Sequence, residues 1–244
     1  MKKQLKSLLR KVGIVAVSDQ HRALGYLENF PHTSFHNVLY RVFPRLEGLT
    51  FLQVGANDGR RFDPIHELIV RYQWRGVLVE PVADTFRSLT ETYRGCSGLQ
   101  FLQAAVDIKQ GSRTIYRLNA NCLESLPEWA MGLATFNRLQ LVETASKLGV
   151  SESSIVSEDV VTVSWAKLWA LLPSSRCDVL VIDTEGYDVP LLSQAGLEKH
   201  RPRIVHFEHA LTSLPDRLTF YGKLLDLGYQ IATDENDTTA WLAA

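Results

Sequence analysis

The sequence predicts a doubly wound α/β domain of seven strands, mostly parallel, with helices on both faces and a C-terminal antiparallel hairpin. Three observations predict it. Short apolar runs at 50–54, 76–80, 99–106, 178–183 and 203–208 alternate with helical patterns. A glycine-bounded turn, Gly55-Ala56-Asn57-Asp58-Gly59, follows the first run. Polar or turn residues (Gly55, Glu80, Asp107, Asp183, Glu208) close five of the strands, where ligands bind on such sheets.

Residues 1–48 form a helical lead-in, and the α/β domain spans 49–244. Phe35, Val38, Leu39, Val42 and Phe43 recur at helical steps in the lead-in. After strand 50–54 comes a helix over 64–72, with Asp63 as its cap and Pro64 in its first turn. A second helix covers 84–93. Residues 112–118 alternate as an extra strand or hairpin arm. The stretch 119–158 breaks the rhythm and reads as an irregular insertion, the place for an acceptor-binding lid. Strand 159–163, a helix over 165–172 and the strongly apolar strand 178–183, buried on both faces, follow. Helices over 189–194 and 216–227 flank strand 203–208, the second ending at Gly228. Residues 229–233 and 238–242 pair as the closing hairpin.

Bulk properties exclude several classes. The chain has 244 residues, 45% hydrophobic and 22% charged, enough for one ample core. A net charge of -1 gives no field for nucleic acid. Cys96, Cys122 and Cys177 are widely spaced, which argues against a zinc ribbon or disulfide scaffold and suits a reducing, cytoplasmic setting. No apolar run approaches the ~20 residues of a membrane span. The basic, leucine-spaced residues 1–12 read as a solvated helix packed on the domain, ahead of a weak peripheral contact with the inner membrane face. His32 and His36 share a helical face and carry little functional weight.

The turn selects the ligand. A dinucleotide fingerprint presses a pyrophosphate against a helix N-terminus, but Asp58 would repel phosphates here. S-adenosylmethionine has an adenosine, an amino group and a positive sulfur, and no phosphate. It is the expected cofactor, with Gly55, Ala56, Asn57, Asp58 and Gly59 around its methionine end. Glu80, stiffened by Pro81, would accept from the ribose hydroxyls. Asp107 would accept from the adenine amino group, with Val106 beside the ring. Asp183 and Glu185 would orient the acceptor or bind the cofactor amine, and His209 beside Glu208 would serve as general base. A divalent metal held by Asp183, Glu208 and a histidine is a lesser alternative and is not expected. Trp129, Phe136 and Trp165 are candidates for an acceptor wall, with core packing as the commoner role of such rings.

The stretches Phe51-Leu-Gln-Val-Gly-Ala-Asn-Asp-Gly59, Val79-Glu80-Pro81, Ala104-Ala-Val-Asp107, Ile182-Asp183-Thr-Glu185-Gly186 and Pro202-Arg-Ile-Val-His-Phe-Glu208 resemble the FkbM family of S-adenosylmethionine-dependent methyltransferases. The resemblance covers about 49 to the C-terminus. It implies a class I methyltransferase fold and O-methylation of a hydroxyl on a sugar, glycan or similar small acceptor. Gln53 stands where many relatives carry aspartate. The rival readings are a non-catalytic module that binds a glycan or protein partner, an NAD-dependent oxidoreductase, and a nucleic-acid methylase. The oligomeric state is not legible.

Overall fold

The computed structural model describes residues 30–174 and 176–243, so the basic segment 1–12 lies outside the described residues. Helix α1 (Phe35–Val42) is capped by Ser34, which accepts from the Asn37 N–H. Strand β1 (Thr50–Val54) leads through the glycine turn to α2 (His66–Tyr72). Asp63 Oδ1 caps α2 by accepting from the Ile65 and His66 N–H groups at 2.8 and 3.1 Å. Then come β2 (Arg75–Val79), α3 (Ala83–Thr92) and β3 (Leu99–Leu102).

The expected strand over 99–106 is two strands. After Leu102 the Ala104 N–H turns back to the Leu102 carbonyl, and β4 (Ala105–Val106) leaves the main sheet to pair with β7 (Ile155–Val163). No glycine or proline marks that break, and Gln103 alone does not announce it. The extra arm is β5 (Gly111–Leu118), which pairs antiparallel with β7 along its whole length.

The stretch 119–158 is less irregular than expected. It holds α4 (Ala120–Leu123), a 3-10 turn (Glu128–Gly132), β6 (Ala134–Thr135), α5 (Arg138–Lys147) and a second 3-10 turn (Glu152–Ser154), and its last residues belong to β7. Asparagine caps explain both helices: Asn119 accepts from the Cys122 N–H and Asn137 from the Gln140 N–H. Leu118, Leu141 and Ala145 give this part its own small core.

The chain closes with α6 (Trp165–Leu171), β8 (Val179–Ile182), α7 (Asp188–Leu192), α8 (Leu197–His200), β9 (Ile204–Glu208), α9 (Leu214–Asp226), β10 (Tyr229–Thr233) and β11 (Asp237–Leu242). The main sheet has seven strands in the order β10-β11-β9-β8-β1-β2-β3. It is mixed, where a mostly parallel sheet was expected. The β1, β2, β3, β8 and β9 pairings are parallel, and β11 is antiparallel to both its neighbours. The hairpin turn explains this: Asp234 Oδ1 accepts from the Asn236 and Asp237 N–H groups and sends β11 back between β10 and β9. Four strands, β4-β7-β5-β6, make a second sheet.

Strand alternation divides the core. Leu52, Val54, Val77, Val79, Leu180 and Ile182 face α6, α7 and α9. Phe51, Leu78, Val179 and Val181 face α1, α2 and α3. Burying each large apolar side chain contributes about 1.5–3 kcal/mol. The sheet therefore holds the ends of β1, β2 and β8 in fixed register, and those ends carry the site.

One contact at those ends admits no side chain. Gly55 has φ 77°, and a Cβ there would lie 1.7 Å from the Asp183 carbonyl oxygen. Gly48 has φ 66° with open space around it. Gly48→Ala should therefore cost about 1 kcal/mol for its backbone conformation alone. Gly55→Ala should cost at least about 2 kcal/mol more, lowering the thermal midpoint by a further 4 °C or so. Equal midpoints for the two variants would show that the two strand ends can part freely.

Candidate active site

A cavity of about 200 Å³ opens where β1, β2 and β8 end. One end is apolar, walled by Val82, Ala105, Val106, Ile115 and Phe136. The other is polar and acidic, with Asn57, Glu80, Asp183 and Glu185. Such a site at the carboxyl ends of central strands is where an open α/β sheet accepts ligands.

Glu80 is buried, and its two oxygens are placed by backbone: Oε2 accepts from the Asn57 N–H at 3.1 Å and Oε1 from the Val82 N–H at 2.9 Å. Each oxygen keeps a lone pair for a ligand hydroxyl. Burial pushes its pKa up to about 7, against the two N–H bonds that favour the charged form. Asn57 holds φ 48° and accepts from the Asp58 N–H through its own side chain at 2.8 Å. Glu185 also lies in the left-handed region, at φ 54°. That conformation costs a non-glycine residue about 1–2 kcal/mol, so tertiary contacts must hold it.

The strand-end carboxylates repel one another. Burial raises Asp183 to about 6 and Glu185 well above the usual range, the latter further by Asp183 and Glu208. Burial lifts Glu208 to about 8, with Asp183 and Asp237 adding to the shift. Arg117 also lines the cavity, but its guanidinium is engaged by Glu158 at 2.6 Å. The acidic end thus lacks a free cation from the described residues lining it. Among the described residues no group of three or more His, Cys, Asp or Glu is placed to hold a metal ion.

The structure brings Gly55, Asn57, Glu80, Pro81, Val106, Asp183 and Glu185 to the cavity. It places the other candidates elsewhere. Ala56 packs in the core under α1–α3. Asp58 folds onto its own turn, accepting from the Arg60 and Arg61 N–H groups at 2.9 Å, with Arg61 3.5 Å away as ion partner. Gly59 gives room to the Tyr93 ring, which a Cβ would approach to 2.5 Å.

Asp107 is occupied by protein partners. Its Oδ2 accepts from Arg113 at 2.8 Å, and its Oδ1 from the Tyr187 hydroxyl at 3.2 Å and the Ile108 N–H at 2.7 Å. Glu208 is not on the cavity wall, and its Oε2 is buried and unpartnered. His209 turns away as well: its Nδ1 shares a 3.0 Å hydrogen bond with Thr238 Oγ1, and burial lowers its pKa to about 4. Of the three aromatic candidates, Phe136 lines the cavity, Trp129 is exposed beside it, and Trp165 is core, donating to the Leu191 carbonyl.

Several lining or supporting residues escaped the sequence. Tyr187 packs edge-on to Phe136, and Arg113 stacks 3.9 Å over Phe136, so the Asp107 cluster closes the back of the cavity. Asp188 is fully buried and holds the Thr184 N–H and hydroxyl with one oxygen, while its Oδ1 has no partner. The density of acids over 183–188 was its only signal. Gly132 sits on Asn57, whose Nδ2 a Cβ would meet at 2.7 Å. Across the Glu185–Gly186 turn lies a second hollow of about 410 Å³, with Asn137, Gln140, Thr212, Ser213 and Asp216 among its walls.

Comparison with known proteins follows this geometry. Among solved structures, the chain is similar to the methyltransferase FkbM of Methylobacillus flagellatus KT, 12% identical, with a TM-score of 0.54, over 98% of this chain and 59% of that one. The chain thus spans about three fifths of that protein's length. That likeness is one of fold, a class I methyltransferase-like α/β architecture. More distant are a precorrin-6y C5,15-methyltransferase of Geobacter metallireducens GS-15 (10% identity, 88% of this chain and 95% of that one, TM-score 0.40) and the Aeropyrum pernix fibrillarin with natively bound S-adenosyl-L-methionine (12%, 80% and 66%, TM-score 0.39). No curated protein sequence matches. The family model described as the methyltransferase FkbM domain matches residues 53–231, most of the chain and all of the cavity's strand ends. The chain belongs to the FkbM methyltransferase family.

Proposed function

We propose that the protein transfers the methyl group of S-adenosylmethionine to a hydroxyl of a sugar, glycan or similar small hydroxylated acceptor. The observation that carries this reading is Glu80, a buried carboxylate with both oxygens aimed by backbone N–H groups, set between an apolar slot and an acidic end. Glu80 would accept from the two ribose hydroxyls. Val82, Val106 and Ile115 would enclose the adenine by apolar contact. Asn57, Asp183 and Glu185 would face the amino acid and the positive sulfur. A pyrophosphate is disfavoured by the same carboxylates.

S-adenosylmethionine, when bound, supplies an activated methyl group for in-line displacement. The protein's part is alignment, exclusion of water and management of one proton. Asp183, raised to about 6, lines the cavity and is the candidate to take the acceptor's proton. His209 is left out of the reaction. The polar hollow beyond Gly186 suits a hydroxylated acceptor. Domain 49–244 acts as the methyltransferase unit, with 119–158 over the acceptor side. No helix among the described residues is long and apolar enough to cross a membrane.

Calorimetric titration tests the cofactor. The protein should bind S-adenosylmethionine and S-adenosylhomocysteine at micromolar Kd, and Glu80→Gln should weaken both about tenfold or more, ~1.4 kcal/mol. Unchanged affinity in Glu80→Gln would remove this carboxylate from the ligand's contacts, and no binding by folded wild-type protein would end the methyl-donor reading.

Methyl transfer to hydroxylated glycans and lipid-linked sugars tests the proton step. Asp183→Asn should lower turnover about 100-fold or more, and His209→Gln less than about threefold. The reverse order would return the base to His209.

The carboxylates also set a pH dependence. Their folded-state pKa values are raised (Asp183 about 6, Glu80 about 7, Glu208 about 8), so their contribution to stability is full at low pH and lost as pH rises through those values. His206 and His209, both lowered to about 4, act in the opposite sense only below about pH 6.5. The thermal midpoint of ligand-free protein should therefore fall from about pH 6.5 to about 9, and fall less with S-adenosylmethionine present. A midpoint that is flat or rises over that range would contradict this charge balance.

A further inference from the structure

Two side chains of the stretch 119–154 donate to one oxygen at the acidic end of the cavity, the carbonyl of Glu185. Thr135 Oγ1 donates to that oxygen at 3.2 Å, and Gln140 Nε2 donates to it at 3.1 Å. The Thr135 hydroxyl accepts from the Asn137 N–H at 3.1 Å, which leaves its own proton for Glu185. Gln140 also lies along Gly186, where a Cβ would meet its side-chain oxygen at 3.0 Å. Glu185 holds φ 54°, a conformation it would not keep unaided. Its carboxylate is on the cavity wall beside Asp183, and a Cβ on Gly132 would lie 3.9 Å from its Oε1.

We propose that Thr135 and Gln140 are positioning residues that hold the Glu185 peptide so that its carboxylate faces the cavity, where it favours the charged methyl donor over the uncharged demethylated product. The proposal rests on the reading that the cavity takes S-adenosylmethionine. Donor and product differ by one methyl group and one positive charge on sulfur. A carboxylate in a partly dry cavity distinguishes them by charge. The remainder of the ligand is common to both and gives no discrimination. Glu80, read as the ribose partner, should hold donor and product alike. Thr135 and Gln140 thereby couple the acceptor side of the fold to the release of product.

The test is calorimetry with S-adenosylmethionine and S-adenosylhomocysteine, read as the ratio of the two affinities at one pH. Glu185→Gln should lower the donor-to-product ratio about fivefold. Thr135→Ala with Gln140→Ala should lower it by a similar factor, and the triple variant should go no lower than either, because one carboxylate carries the effect. Thr135→Ser in the Gln140 wild-type background should keep the wild-type ratio, since the hydroxyl remains. Melting curves confirm that each variant folds, and the single variants Thr135→Ala and Gln140→Ala serve if the pair does not. An unchanged ratio in Glu185→Gln overturns the proposal. So do losses that multiply in the triple variant, or equal weakening of both ligands by the Thr135 and Gln140 changes. Wild-type protein that binds neither ligand overturns the methyl-donor reading itself. Wild-type protein that binds both, with a ratio indifferent to these changes, overturns this proposal alone.

Discussion

The site depends on the near-contact of Gly55 with the Asp183 carbonyl. Strands β1 and β8 are hydrogen-bonded neighbours up to Val54 and Ile182, and beyond them the chains would normally diverge. A glycine at φ 77° lets the turn after β1 lie directly on the end of β8. That single missing side chain brings the Asn57 N–H to Glu80, and it brings Asp183 to the same cavity. The bond from the Asp183 N–H to the Val54 carbonyl at 3.0 Å keeps the two ends together. Burial is the first cause of the raised pKa values there, and for Glu80 and Glu185 the neighbouring carboxylates add to it.

Such packing is unfavourable in the empty protein. Glu80, Asp183, Glu185, Asp188 and Glu208 are all shifted toward their protonated forms, and in each case burial is the first cause. Nature rarely leaves buried acids uncompensated. The opposite solution is visible in the same fold: Asp107 has Arg113 and Tyr187 as partners within the protein. The two acidic regions thus have opposite characters. One is closed within the protein, and the other has no free cation among the described residues that line the cavity.

Much of this was legible in the sequence. The apolar runs of β1, β2, β8 and β9, the Asp63 cap of α2 and the Gly228 stop of α9 each declare themselves through one local rule. Glu80 was legible because a carboxylate after a buried strand has few bland explanations. The remainder was hidden for physical reasons. Asp107 and His209 have the right residue types at strand ends, but their partners Tyr187 and Thr238 arrive from distant segments. Asp58 was read as a cofactor contact, and the turn's own N–H groups took it because they are nearest. The break between β3 and β4 follows from the second sheet, whose partner strand is more than fifty residues later. Period and propensity carry no information on such long-range pairing.

The second sheet has a consequence for how the family can diversify. Leu118 and Ile155, the residues at which 119–154 departs and returns, are register partners in the β5–β7 ladder. The stretch between them is therefore the tip of a long hairpin, anchored by paired backbone and carrying its own small core. Because its ends are already adjacent, lengthening or replacing that tip adds little closure entropy, which grows only as the logarithm of loop length. The strand ends that carry Gly55, Glu80 and Asp183 belong to the main sheet, outside that tip. The hairpin tip is thus a place where the chain can be lengthened or exchanged while the main sheet and its strand ends stay as they are.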